Sequence, residues 1–95
     1  MNNLFEDDIS TSKVTLSVRQ RNNRQFITII EGIADDLDLD KILKHIKQTY
    51  NCNGNIIKDE KFGNIIKLTG NQKDNVYNFF INEEIYTKNN IIIKG

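Results

Sequence analysis

The sequence contains no proline or tryptophan, one cysteine and one histidine. A lone cysteine, Cys52, cannot form an intramolecular disulfide, and this is typical of proteins from reducing compartments. One cysteine and one histidine, His45, cannot supply the four ligands of a usual structural zinc site. No apolar run approaches the roughly 18 residues that span a bilayer, and the first residues show no signal-peptide pattern. We therefore expect a cytoplasmic protein without a membrane segment.

The sequence also lacks a net charge and the motifs of cofactor sites. Its 13 basic and 13 acidic side chains cancel, so any binding to nucleic acid must come from an uneven distribution of charge. Residues 1–12 contain three acidic side chains and no basic one, whereas the other 83 residues contain 13 basic and 10 acidic side chains. No phosphate-binding glycine loop and no nucleophile beside a base is found. We expect no enzymatic activity and no cofactor.

Apolar residues are numerous enough for one core. Leu, Ile, Val and Phe supply 30 of the 95 residues, which is more than a disordered chain contains, and this length suits a single domain. Residues 1–12 have no periodicity and carry charge of one sign, so they predict a flexible acidic tail. A short acidic and hydrophobic docking segment within them is the alternative. The folded domain is predicted to cover residues 13–95.

The stretch from residue 14 to residue 36 predicts a β-hairpin with a basic end. Val14, Leu16 and Val18 alternate with polar residues, as in a strand with one buried face, and a second strand begins near Ile27. The Asn22-Asn23 pair between them predicts a primed turn, because asparagine tolerates positive φ. No acidic residue occurs between Asp8 and Glu31, so the hairpin could contact phosphate groups. The candidate contact residues are Arg19, Arg21, Asn22, Asn23 and Arg24.

A helix is predicted over residues 39–50 from its apolar periodicity. Asp36 or Asp38 can cap it, and this explains the local aspartates better than a metal site does, since the glycine and distal glutamate of a calcium loop are missing. Three lysines lie away from the apolar face. They form either an ordinary solvated surface or a second basic patch, and both readings stay open. These residues are Lys41, Lys44 and Lys47.

The second half of the chain repeats this organisation. Residues 55–58 and 64–68 predict two strands of a hairpin. Asn71 and Asp74 resemble a capping box for a helix over residues 72–83, and residues 91–93 predict a last strand. The order is ββαββαβ, and its last six elements follow the split βαβ pattern. We predict an α+β two-layer sandwich with a five-stranded mixed sheet and both helices on one face.

Several short motifs of this sequence occur together in one known family. The motifs are Gln20-Arg21-Asn22, Gly32-Ile33-Ala34-Asp35-Asp36 with Asp38, Cys52-Asn53-Gly54, the Gly63 turn, and Gly70-Asn71-Gln72-Lys73 with Asn75. In this order and spacing they resemble the eukaryotic translation initiation factor 1 family over about residues 13–95. The resemblance implies a five-stranded sheet with two helices on one side. It also implies a protein that binds the small ribosomal subunit beside the P site, supports scanning, and blocks full accommodation of initiator tRNA at codons other than AUG.

The resemblance also implies site residues and partners. In the family the hairpin turn contacts ribosomal RNA, which corresponds here to Arg21, Asn22, Asn23 and Arg24 with Arg19 beside them. The family's basic helix corresponds to the helix that carries Lys41, Lys44 and Lys47. The expected partners are the RNA of the 40S subunit and other initiation factors, with initiator tRNA as a steric neighbour of a monomeric protein. The family's usual turn has glycine at the position of Asn23 and lysine at that of Gln25, and its usual aspartate is Asn71 here.

Two other functions remain as alternatives. One is a non-catalytic module that docks on other initiation factors through the acidic tail and exposed apolar residues. The other is a general binder of single-stranded RNA, although residues 64–68 lack the stacking aromatics of RNA-recognition strands. The abundance of Asn, Ile and Lys indicates an AT-rich genome. It fits a eukaryote or a large DNA virus whose factor would compete with that of its host.

Overall fold

The computed structural model describes residues 13–61 and 63–94. Over these residues the chain follows the order ββαββαβ, so the predicted α+β class is confirmed. The elements are β1 (Val14–Asn22), β2 (Gln25–Glu31), α1 (Leu39–Tyr50), β3 (Gly54–Asp59), β4 (Gly63–Thr69), α2 (Lys73–Asn82) and β5 (Ile91–Lys94), with a 3-10 turn at Lys88–Asn90. The acidic tail predicted for residues 1–12 lies outside this range.

The sheet is mixed, in the order β3-β4-β2-β1-β5. The β1–β2 hairpin is antiparallel and lies at its centre, and β5 runs parallel to β1. The neighbouring strands support only part of this hairpin: β5 pairs with β1 up to Ser17, and β4 pairs with β2 from Ile27 onward. Beyond these two residues, and apart from the N–H of Gly70 that donates to the carbonyl of Phe26, the hairpin strands of the described chain pair only with each other. The end of the hairpin therefore extends past the rest of the sheet.

Both helices pack on one face of the sheet and close a single core. The apolar face predicted for α1 is the buried face of that helix, with Ile42, Leu43 and Ile46. In α2 the buried side chains include Phe79 and Phe80. The sheet contributes buried side chains from four strands, namely Val14, Leu16, Ile30, Ile66, Leu68 and Ile91. This packing fixes the sheet that carries the hairpin.

The ends of α1 agree with the sequence. The backbone N–H of Lys41 donates to Oδ1 of Asp38 at 3.2 Å, so Asp38 is the N-cap. Asn51 ends the helix in the left-handed region with φ of 51°, and its N–H donates to the carbonyl of Lys47. Within residues 13–61 and 63–94, no three His, Cys, Asp or Glu side chains are placed to hold a metal ion.

The predicted capping box of α2 is wrong. The helix begins after Gln72, whose side chain makes no capping bond, and Oδ1 of Asn71 accepts a bond of 3.4 Å from the N–H of Lys73. The N–H of Gln72 instead donates to Oγ1 of Thr28 at 2.7 Å. The start of α2 is thus held by a long local bond from Asn71 together with a shorter tertiary hydrogen bond.

Thr28 connects the central strand β2 to the loop before α2. It is the one buried polar residue of the described chain, with 0% exposure. Its hydroxyl accepts from the N–H of Gln72 and donates to the carbonyl of Gly70, both at 2.7 Å. The N–H of Gly70 in turn donates to the carbonyl of Phe26 at 2.7 Å. These bonds hold β2 at the point where the hairpin leaves the sheet.

Gly54 is required by close packing at the start of β3. A Cβ atom there would lie 2.6 Å from Cδ2 of Leu68 and 2.8 Å from the carbonyl oxygen of Lys67. Such distances are too short for any side chain, so β3 can approach β4 and α1 only with glycine at this position. This explains one glycine of the motifs that the sequence shares with the initiation factor 1 family.

We predict that Thr28→Val lowers the free energy of unfolding by about 1–3 kcal/mol, because it leaves a donor and an acceptor unpaired in a buried site. Thr69→Val is the matched control. Its side chain is exposed on β4, so it should change stability by no more than about 0.5 kcal/mol. Urea unfolding measures both variants, and equal stabilities would contradict the role given to Thr28.

Candidate nucleic-acid interface

The end of the β1–β2 hairpin is a two-residue turn held by one asparagine. Asn22 pairs with Gln25, which leaves Asn23 and Arg24 in the turn. Oδ1 of Asn22 accepts from the N–H of Arg24 at 3.0 Å, and Nδ2 of Asn22 donates to Oε1 of Gln25 at 3.2 Å. Both groups of the Asn22 side chain therefore stabilise the turn.

The predicted primed turn centred on Asn22-Asn23 is wrong in both centre and type. Outside glycine, positive φ occurs in the described chain only at Asn51 and Glu84, whereas a primed turn requires it at a central residue. The register of the hairpin shifts between Gln20 and Asn22. Such a bulge increases the local twist of a hairpin. Together with the bonds of Asn22 it makes positive φ unnecessary.

The hairpin carries all three arginines of the sequence. Arg19, Arg21 and Arg24 are exposed, and their guanidinium groups form no ion pair within residues 13–61 and 63–94. The first acidic residue after the turn is Glu31, at the opposite end of β2. The arginines are therefore available to an anionic partner, which is the arrangement that phosphate contacts need.

The structure brings only part of the lysine face of α1 towards the hairpin. The carbonyl of Asn53, just after the helix, accepts from the N–H of Thr69 at 2.9 Å, and Thr69 pairs with Ile27 near the base of the hairpin end. Lys47, in the last turn of α1, therefore lies towards this end. Lys41 lies in the first turn and lines a hollow with acidic residues.

All three lysines that the sequence predicts for the site are nonetheless solvent-exposed, at Lys41, Lys44 and Lys47. They lie along one helix at intervals of about one turn. The distance from the hairpin therefore increases from Lys47 through Lys44 to Lys41. The helix and the hairpin thus form one basic region only at the end where Lys47 lies.

Sequence reasoning missed one exposed residue at the site. A hollow of about 300 Å³ beside the hairpin is lined by Phe26 together with Arg21, Arg24, Thr69 and Gly70. Phe26 is 39% exposed, although it lies on the same face of β2 as Thr28 and Ile30, which are buried. The alternation reveals the face of the strand, but it does not reveal that β4 ends before it can cover this residue.

The single cysteine is not activated as a nucleophile. Burial raises the pKa of the Cys52 thiol, and the nearby Lys47 offsets this only in part. The thiol is therefore protonated at neutral pH, which makes it a poor nucleophile. No helix in the described part of the chain has the length and apolar character that would let it cross a membrane.

Fold and site together define a class: a small two-layer α+β domain that presents an unpaired basic hairpin at one end of its sheet. Comparison with known proteins identifies the family to which the chain belongs. Residues 10–86 match the family model described as translation initiation factor SUI1. The chain belongs to this family of translation initiation factors.

Individual relatives agree with the family. The chain is 40% identical over 91 residues to the eukaryotic translation initiation factor eIF-1 of Saccharomyces cerevisiae, covering 95% of this chain and 84% of that protein. It is 38% identical over 91 residues to the protein translation factor SUI1 of Eremothecium gossypii, with the same coverage. A SUI1 homolog of Salix bakko is 39% identical over 82 residues, which cover 86% of this chain and 73% of that protein.

A solved structure supports the fold. The C-terminal domain of human eIF2D superposes with a TM-score of 0.74 at 15% sequence identity. The match covers 85% of this chain but only 42% of that one. At this identity the likeness shows the shared fold and carries no functional conclusion.

We predict that Asn22→Ala increases the mobility of the turn with little effect on global stability. The substitution removes two hydrogen bonds that lie in an exposed site, so the free energy of unfolding should change by no more than about 0.5 kcal/mol. Backbone ¹⁵N relaxation should show a lower order parameter for the amide of Arg24. Asn23→Ala is the control, because the Asn23 side chain makes no hydrogen bond in the described chain. Equal order parameters in the two variants would exclude a stabilising role for Asn22.

Proposed function

We propose that this protein binds the small ribosomal subunit near the P site, keeps the preinitiation complex competent for scanning, and enforces selection of the start codon. Membership of the SUI1 family supports a role in translation initiation. The unpaired arginines of the hairpin are the observation that supports contact with ribosomal RNA. The proposed action is by binding, in the cytoplasm, as a monomer without catalysis or a cofactor.

The physics of phosphate contacts suits such a role. Arginines that contact phosphates fix the position of a protein on RNA without reading its sequence. A factor that joins every scanning complex and then leaves needs a defined position and modest affinity, and a few exposed arginines supply both. The candidate contacts are Arg19, Arg21, Asn22, Asn23 and Arg24 on the hairpin, with Lys41, Lys44 and Lys47 on α1.

The lysines of α1 contribute unequally in this proposal. Attraction between exposed charges falls off over about 8 Å at physiological ionic strength. Lys47 lies towards the hairpin and adds to its positive field, whereas Lys41 lies near acidic side chains at the other end of the helix. Lys44 lies between them. A subunit surface that is reached by the hairpin would therefore be reached first by Lys47.

We predict that Arg21→Ala combined with Arg24→Ala weakens binding to purified 40S subunits and makes it less sensitive to salt. Two lost phosphate contacts should reduce the slope of log K against log salt concentration by roughly 1.4–1.8. Fluorescence anisotropy of labelled protein over a series of salt concentrations measures both affinity and slope.

The matched control for this experiment is Lys58→Ala combined with Lys88→Ala. It removes the same net charge from exposed positions away from the hairpin, so it should leave the slope nearly unchanged. If the arginine and lysine variants bind alike, the protein interacts with the subunit through its overall charge, and the hairpin is not the contact.

The same hairpin is proposed to act by its volume. A stiff two-stranded projection beside the P site would occupy space that initiator tRNA needs when it accommodates fully. Pairing of an AUG codon would favour accommodation enough to displace the factor, whereas a mismatched codon would not. Selection then needs no recognition of the codon by this protein.

We predict that the protein supports growth of yeast cells that lack their own factor, and keeps initiation at a UUG reporter low relative to an AUG reporter. The variant with both hairpin arginines replaced should raise the UUG to AUG ratio, because weaker binding lets the factor leave too early. Immunoblotting checks that both proteins accumulate equally. Absence of growth with a folded, expressed wild-type protein would count against a role in scanning.

A second function is favoured by one observation. A hollow between α1 and α2 is lined largely by apolar side chains, among them Leu37, Ile42, Phe79 and Ile85. Such a surface suits a segment of another initiation factor better than RNA. Binding of purified initiation factors that persists when 40S binding is lost would favour this module over the ribosome-bound role.

A further inference from the structure

Phe26 differs from the other phenylalanines of the described chain in both exposure and ring contacts. Phe79 and Phe80 are 5% and 0% exposed and pack their rings on aromatic neighbours. Phe26 is 39% exposed, and its ring packs on no other aromatic ring of residues 13–61 and 63–94. An exposed aromatic ring beside unpaired arginines is a combination that is enriched at binding surfaces.

The backbone holds this ring in a fixed position. Phe26 pairs with Gln20 of β1, and its carbonyl accepts the bond of 2.7 Å from the N–H of Gly70. Because β4 pairs with β2 only from Ile27 onward, no neighbouring strand covers the ring on that side. The ring is thus presented by a sheet and not by a mobile loop, so little conformational entropy is lost when a ligand packs on it.

The surroundings of Phe26 match the two parts of a nucleotide. The hollow that it lines also contains Arg21 and Arg24, so an apolar aromatic face and two cationic groups open to the same space. Unpaired bases stack on aromatic rings, while arginines bind the phosphates that flank them. A protein partner would instead need a larger apolar surface, and the rest of this hollow is lined by Gln25, Ile27, Thr69 and Gly70.

We propose that Phe26 is a stacking platform for one unpaired base of RNA, with Arg21 and Arg24 binding the adjacent phosphates. The proposal rests on the proposed function and deepens it. In addition to phosphate contacts, the hairpin requires a nucleotide whose base is free to leave the base stack. Its ligand is therefore a single-stranded or bulged segment of RNA. The stacking contact tolerates any base, because every base has a π face.

The chain offers a direct optical test, because it contains no tryptophan. Phe26→Trp keeps an aromatic ring at the site and makes it the only strong fluorophore. A base stacked on the indole quenches its emission. Titration with a short single-stranded oligoadenylate should quench this variant, whereas an RNA duplex of the same length should quench it weakly. Ile93→Trp, at an exposed position on β5, controls for nonspecific quenching.

Affinity for 40S subunits gives the second measurement. Phe26→Leu removes the π face but keeps an apolar side chain, and it should weaken binding by about 5- to 100-fold. Phe26→Tyr should bind within about twofold of the wild type. Since stacking neutralises no phosphate, the leucine variant should keep the wild-type salt slope, unlike the variant lacking both arginines. Circular dichroism confirms that each variant is folded.

The outcomes separate this inference from the proposed function. Quenching at position 26 but not at position 93, with weak binding only for the leucine variant, supports the stacking platform. Equal binding of the leucine and tyrosine variants overturns it. That result would indicate that the side chain at position 26 packs into an apolar pocket of a protein partner. Absence of quenching by the single-stranded oligoadenylate also overturns it, even where the arginine variants show that the hairpin binds the subunit. Unaltered binding of the arginine variant instead contradicts the proposed function.

Discussion

The hydroxyl group of Thr28 is the connection on which the functional end of this protein depends. It joins the central strand to the loop before α2 through two bonds of 2.7 Å, at the point where the hairpin loses the support of β4. Beyond Phe26, whose carbonyl accepts from the N–H of Gly70, the hairpin strands of the described chain pair only with each other, and an isolated hairpin is marginally stable in water. Fixing its base to the core gives the exposed end the stiffness that a defined contact requires. The one buried polar residue of the described chain therefore stabilises the exposed hairpin as well as the core.

This dependence explains how much the sequence could predict. The helix α1 agrees with its predicted bounds because its apolar spacing and both of its caps are local, at Asp38 and Asn51. The capping box of α2 was predicted wrongly, although the helix begins within one residue of the predicted position, because Gln72 bonds to a residue 44 positions earlier in the chain. The turn was predicted wrongly because a bulge two residues away replaced the expected backbone geometry. Local signals predicted the local structure well, and long-range contacts decided the remainder.

The candidate site shows the same division. The run of residues without acid between Asp8 and Glu31 predicts a basic surface whatever the exact turn, and the structure leaves its arginines unpaired within the described chain. The exposure of Phe26 was not predictable. The period of two residues places Phe26 on the same face as Thr28 and Ile30, and the core covers that face at both of those residues. Only the lengths of the neighbouring strands show that the core ends before this residue. The exposure of a side chain at the end of a strand thus depends on the neighbouring strands as well as on the sequence of its own strand.

The proposed interface combines two kinds of contact with different physics at one end of the molecule. Arginine contacts with phosphate weaken steeply as salt rises, because binding releases counterions. Stacking on an aromatic ring does not depend on counterions and is tolerant of sequence. In the proposed interface the ring of Phe26 supplies affinity of the kind that salt does not remove. A protein with zero net charge can in this way hold a fixed position on RNA, because its binding energy is concentrated in one stiff projection rather than spread over its surface.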